Sequence, residues 1–208
     1  MQFGDFLCTL RLFTESQRLV DNWHLNTSEA TFVTSFLSTT TDEQLIAAFF
    51  QRSTGDWRSE RRYYTLPDGE AKEMVSMITV RFLPQRSPEL GVLAQLHHLA
   101  DDAMTCGAEV SWDSANSVSG RRESKGSTLF GAIGNILYRD RGFATPKPVT
   151  ATYYFSNPDT LCLRTEYKGS VFEEELKLVG QQYRTRQTII SRVGEQQMIG
   201  QYLEKRLK

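Results

Sequence analysis

Two arginines stand two residues apart near the end of the chain, Arg184 and Arg186 in YRTRQTII (183–190). On a strand that spacing puts both on one face. A guanidinium is a planar fork that donates paired hydrogen bonds to a carboxylate, so two on one face could clamp an anionic ligand. The same pair could instead lie outside, matched to Glu173 or Glu175 on a neighbouring strand. The rest of the strand bears on the choice. The Arg184 face continues through Thr188 to Ile190, and the other face carries Tyr183, Thr185, Gln187 and Ile189. A half-buried strand would show one apolar and one polar face. Two mixed faces fit a barrel with a partly polar lumen, and such a lumen usually holds something.

Other residues could join that chemistry. Trp57 and Trp112 offer flat surfaces to a conjugated ring, although core packing explains a barrel tryptophan equally well. Arg61 shares strand parity with Trp57, whereas the adjacent Arg62 must face the other way. Glu173 is a candidate acid, but Phe172, Leu176 and Leu178 form an apolar face that would turn it to solvent. Arg139 in YRDR reads as a turn residue toward solvent. His97-His98 with Asp101-Asp102 reads as a solvated helix end, and no metal site is expected. The glycines of 126–134 lack the Gly-Lys-Ser/Thr of a phosphate loop. Cys106 reads as a small core residue.

The elements that must position these residues are mostly strands. Thr41 to Gln44 has capping-box form before Leu45, Ile46, Phe49 and Phe50, so a helix of about ten residues starts near Asp42. Ser87-Pro88-Glu89 starts a second helix to about Leu99. Trp57–Leu66 and Lys72–Leu83 flank a hairpin turn at Pro67-Asp68-Gly69. Strand-like runs follow at 106–113, 127–139, 148–156, 160–168, 171–179, 182–191 and 196–204, with 114–125 as an exposed tip. Short, evenly spaced strands argue for an antiparallel barrel or sandwich. Residues 1–40 read as an extension outside the 41–208 domain, with a short amphipathic helix over Phe3, Phe6, Leu7 and Leu10.

With 208 residues, 39% hydrophobic and 24% charged, the chain is long and apolar enough for a sizeable core. A net charge of −1 gives no reason to expect nucleic acid or an anionic membrane as partner. No apolar run approaches the roughly 18 residues of a membrane span. The N-terminal stretch holds Asp5, lacks a basic segment and does not read as a secretory signal. Three cysteines with no spaced pair, an odd and sparse count, suit a reducing compartment.

Five ordered segments carry a resemblance: FFQRSTGDWRSERRYYTL (49–66), CGAEVSWDS (106–114), GSTLFGAIGNILYRDRGFATPKPVT (126–150), LRTEYKGSVFEEEL (163–176) and YRTRQTII (183–190). Together they resemble the S/U-type phycobiliprotein chromophore lyases. The resemblance implies a lipocalin-like (calycin) antiparallel β-barrel of about ten strands with one or two helices, cytoplasmic in a cyanobacterium or in the plastid stroma of an alga. It implies noncovalent binding of a linear tetrapyrrole, phycocyanobilin or phycoerythrobilin, as substrate and not as cofactor. The bilin would then be attached through a thioether to a cysteine of an antenna subunit of phycocyanin, allophycocyanin or phycoerythrin. Trp57, Arg61, Trp112, Arg184 and Arg186 match pocket positions, and Glu173 matches the acid acting on the pyrrole nitrogens. The chain departs from the family at Tyr64, where many members have histidine, and at Glu175-Leu176-Lys177, where many have Arg-Leu-Trp. These departures point to the U-type branch, as a homodimer or in a heterodimer with an S-type partner. The alternative is a non-catalytic bilin carrier or accessory subunit.

Overall fold

Thr41 opens the first element of the computed structural model, which describes residues 41–67, 69–192 and 195–208. The helix and extension expected within residues 1–40 lie outside the described residues. The Thr41 hydroxyl accepts from the Gln44 backbone N–H at 3.3 Å, and the Gln44 side chain accepts from the Thr41 N–H at 3.0 Å. This reciprocal pair satisfies donors that the helix itself cannot. The helix, α1, runs Asp42–Ser53, and Ile46, Phe49, Phe50 and Ser53 are its buried residues.

Ten strands follow among the described residues: β1 (Gly55–Thr65), β2 (Glu70–Pro84), β3 (Cys106–Asn116), β4 (Arg122–Ile133), β5 (Ile136–Arg139), β6 (Val149–Asn157), β7 (Thr160–Tyr167), β8 (Ser170–Val179), β9 (Tyr183–Arg192) and β10 (Glu195–Arg206). Each pairs antiparallel with its neighbours in sequence, and β1 pairs with β10, so the barrel is closed. Closure leaves no free sheet edge. The run read from sequence as one strand over 127–139 is two strands. Gly134 sits at φ 56°, a backbone state that a glycine adopts without strain. The chain reverses there, so that Ile133 pairs with Ile136.

The barrel has an inner and an outer core. Inside, Ile78, Val80, Ala108, Ala132, Leu137, Ala151, Leu161 and Leu163 meet Phe49 and Phe50 of α1. Outside, the second helix, α2 (Pro88–Leu96), packs Leu90 and Leu93 with Leu83 and Met104 against Leu129, Ile133 and Tyr138. It ends earlier than the sequence implied, because the Leu99 N–H turns back to Ala94 C=O at 2.9 Å. Gly131 allows the close approach: a Cβ there would stand 2.1 Å from Met104 Sδ. The pairing register sets the two ends of the barrel. α1 leads straight into β1 and closes one end. The β1–β2, β3–β4, β5–β6, β7–β8 and β9–β10 connections lie at the other.

Candidate functional site

The closed end is built around Trp57. Its ring is fully buried, and its Nε1 donates to Ser53 C=O at 2.9 Å, tying β1 to the last turn of α1. Two guanidiniums bracket the ring, Arg184 at 4.8 Å and Arg206 at 4.2 Å from its centroid. Arg206 donates to the carbonyls of Arg52, Thr54 and Gln181, fastening β10 to the end of α1 and to the β8–β9 turn. Arg184 is ion-paired with Glu204, itself 1% exposed, which also accepts from the Ser59 hydroxyl at 3.2 Å. Trp57 does not line the cavity. It seals the floor, so the pocket role expected for it becomes a supporting one.

Above that floor lies a cavity of about 450 Å³. Its apolar walls come from α1 and from inward residues of β2, β3, β4, β5 and β7, including Phe49, Phe130 and Trp112. The Trp112 ring lies over Gly126, where a Cβ would come within 2.8 Å. Arg61, Arg139, Arg141, Arg184 and Arg186 also line it, with Glu174 among them. Strand alternation explains the placement. On β9 the residues facing in are Arg184, Arg186 and Thr188, while Tyr183, Thr185 and Gln187 are exposed. The mixed face noted in the sequence is thus the wall of a polar lumen.

Glu174 is the buried carboxylate of that lumen, 6% exposed. Arg186 donates to it, and Arg139 Nη1 stands 3.7 Å from its other oxygen. Burial opposes its ionisation, yet the charges of Arg186 and Arg139 outweigh that and hold its pKa below the usual carboxylate range. Burial likewise lowers the Arg139 pKa, with Glu174 acting against it. For Arg186 burial is again the largest influence, but Glu174 and the surroundings overcome it, and its pKa is raised. The Arg186 and Arg61 guanidiniums lie 5.2 and 5.5 Å from the Tyr202 ring centroid. Arg61 Nε also donates to the Ser59 hydroxyl at 3.3 Å.

Glu173 is a correction. It lies on the outer face of β8, 51% exposed at its side chain, where Arg164 Nη1 donates to it at 2.7 Å. The next residue is the one that faces in. Glu174 shares strand parity with Phe172, Leu176 and Leu178, and that apolar face was the signal for it. Arg139 is a second correction. It is 8% exposed and faces inward beside Leu137, its guanidinium 4.8 Å from the Phe130 centroid. The sequence reading put it in a YRDR turn, whereas β5 runs through it and its alternation starts afresh after the Gly134 reversal. His97 is half-buried, not solvated, and its Nε2 meets Arg139 C=O at 2.9 Å. Cys106 is buried, which pushes its thiol up to about 11 and away from the reactive thiolate. Tyr64 accepts from Arg62 at 3.4 Å on the face of β1 opposite to Arg61.

The rim at the other end is the segment between β5 and β6. Asp140 accepts from Thr128 Oγ1 at 2.7 Å and from the Leu129 N–H at 2.9 Å, turning the chain after Arg139. The Ala144 N–H then donates to the Tyr167 hydroxyl at 2.8 Å, and Tyr167 stacks on Phe172 at 4.7 Å. Gly142, Phe143, Thr145 and Pro146 border the cavity, with Phe143 45% exposed.

Known proteins share this architecture. A structure described as the S-type phycobiliprotein lyase CPES from Guillardia theta superposes with a TM-score of 0.68 over 78% of this chain and 93% of its own, at 20% identity. A putative phycocyanobilin lyase, CpcS 2, of Nostoc sp. is 69% identical over 174 residues, covering 83% of this chain and 97% of that protein. A putative chromophore lyase, CpcV, of Picosynechococcus sp. is 51% identical over 162 residues, covering 77% and 80%. The CpeS-like protein family matches residues 45–207, the whole barrel and most of α1, and the chain belongs to that family.

Proposed function

We propose that this protein is a phycobiliprotein chromophore lyase. It takes up a free phycobilin, phycocyanobilin or phycoerythrobilin, as substrate and delivers it to a cysteine of an apo-antenna subunit. The observation that carries this reading is the combination of flat apolar walls with an excess of lumenal arginines. A bilin is a flat conjugated body with two propionates, and it needs both features at once. The similarity to proteins described as phycocyanobilin and chromophore lyases supports the same substrate class.

Glu174 gives the lumen its chemistry. An ionised carboxylate held among the pyrrole nitrogens favours their protonated, cationic state. A cationic bilin is a better electrophile at its ring-A double bond. The acceptor thiol then adds across that bond: sulfur bonds to carbon, the proton ends on the bilin, and nothing leaves. The nucleophile belongs to the acceptor, in keeping with the unreactive environment of Cys106. Arg61, Trp112 and Arg186 line the ligand space, while Arg184 and Trp57 hold the floor beneath it.

The test is co-expression with a bilin source and an apo-antenna subunit, alone and with an S-type partner. A coloured acceptor whose bilin survives acid-urea denaturation is expected, with the lyase itself releasing its bilin under the same conditions. Colour only in the presence of the partner assigns the protein to a heterodimer, and colour alone to an independent, monomeric or homodimeric enzyme. A bilin bound covalently to this chain overturns the reading. The Nostoc and Picosynechococcus relatives come from cyanobacteria, and the cytoplasm of such a cell is the location this reading gives the protein.

A further inference from the structure

Five arginines line the cavity among the described residues, but they are not equally available, and Arg141 is exposed and bonded to Asp140 at the rim. Arg184 is matched by Glu204, and both are almost completely buried at the floor. Arg186 is matched by Glu174 through a direct hydrogen bond. Arg139 shares that same carboxylate, but at 3.7 Å, beyond hydrogen-bonding length. Its Nε–H is buried and has no partner among the described residues, as is true of Arg186 Nε. A buried guanidinium is ordinarily given hydrogen bonds and a counter-charge. Arg139 has a ring face and half a carboxylate, so its cluster with Arg186 and Glu174 carries one positive charge too many.

The position is held from several sides. His97 reaches in from the C-terminal end of α2 to bond the Arg139 carbonyl, and Asp140 anchors the next residue to β4. The guanidinium lies over the ring of Phe130, its cross-strand partner on β4. Such support keeps a charged side chain directed into an apolar cavity without tying up its donors. Arg61 is the other lumenal arginine with no carboxylate paired to it among the described residues, and it stands on β1, four strands from β5 one way round the barrel and six the other.

We infer that Arg139 is a carboxylate-binding residue of the pocket: it receives one propionate of the bilin, and Arg184 does not. This rests on the bilin reading above and adds a specificity rule to it. The pocket selects tetrapyrroles with a free propionate at this position, and esterification removes the anion that Arg139 binds.

The experiment titrates the full-length protein with phycocyanobilin and with its dimethyl ester, following the bilin absorbance. Wild-type protein should bind the free acid more tightly. Arg139→Gln should lose about tenfold or more in affinity for the free acid, the scale of one charge-assisted hydrogen bond. Its affinity for the ester should not change. Equal binding of acid and ester by the wild type overturns the inference. So does an Arg139→Gln variant that weakens both forms alike, which makes Arg139 a support for β5 only. Arg139→Lys keeps the charge and loses the fork. If the glutamine variant does not fold, this one should show a smaller loss for the acid and none for the ester, and an equal loss for both again overturns the assignment. Wild-type protein that binds neither form overturns the bilin reading itself, an outcome distinct from the others.

Discussion

The floor of the barrel and the middle of its lumen both bury arginines against glutamates, and they differ in stoichiometry. At the floor Arg184 meets Glu204 one to one, with Ser59 and the Trp57 ring completing the contacts. In the lumen Arg139 and Arg186 share Glu174, and the Nε–H of each has no partner among the described residues. A closed charge pair adds rigidity and asks for nothing. An open one remains costly until an anion arrives. The same residue types thus serve as a joint in one place and as a binding site in the other, and the difference is the number of carboxylates within reach.

Four perturbations separate the two regions. The largest effect is expected at Glu174. Changing Glu174→Gln keeps the shape but removes the charge beside the bilin nitrogens, so transfer to an antenna cysteine should slow by about 10²–10⁴-fold. Bilin binding should not weaken, because both arginines become free for propionates. Single-turnover transfer rates beside equilibrium titrations measure the two quantities. A binding loss without a rate loss would make Glu174 a purely structural partner.

Glu204→Gln should act on folding instead. It leaves Arg184 buried without its counter-charge, which costs about 3–5 kcal/mol. A urea unfolding midpoint that barely moves would remove the distinction between joint and site.

Acid sharpens the comparison next. Glu174 has its folded pKa depressed, so its contribution to stability is fully present above the unfolded value of about 4.3 and is lost as pH falls through the folded one. Wild-type stability should therefore decline on acidification below about pH 4, and Glu174→Gln should lose that part of the pH dependence. Unfolding curves across pH 2 to 7 check this; parallel profiles for the two proteins would contradict it.

Glu173→Gln is the smallest expected change. The pair with Arg164 is exposed and adds little. Melting temperature and transfer rate should stay at wild-type values, and a slowed transfer would bring the outer face of β8 back into the chemistry.

Much of this was legible in the residues. The capping box at Thr41 placed α1, and the hairpin turn placed β1 and β2 with Trp57 and Arg61 on one face. The two mixed faces of β9 disclosed a polar lumen before any strand was paired. Glu174 was legible too, since alternation with Phe172, Leu176 and Leu178 turns it inward, but its neighbour was chosen on the resemblance. Arg139 was not legible. Its direction depends on the reversal at Gly134, and its burial depends on β4, β6 and β8 closing round it. The sequence ranked Arg186 above it as an anion ligand, and we infer the reverse order, since partnership is decided by residues far apart in the chain. The same holds for Arg184, whose quenching by Glu204 bridges strands from opposite sides of a turn.

The plug formed by α1 has a consequence for traffic. A barrel stoppered at one end works last in, first out, so whichever end of an elongated guest enters first is also the last to leave. For a tetrapyrrole bound for another protein, the reactive ring must trail on entry and lead on exit, past Phe143 and the segment latched to Tyr167. On the bilin reading above, the acceptor cysteine then meets that ring at the mouth while the middle of the guest still lies beside Glu174. Orientation at loading thereby decides which atom is offered at delivery, and the protein needs no second door.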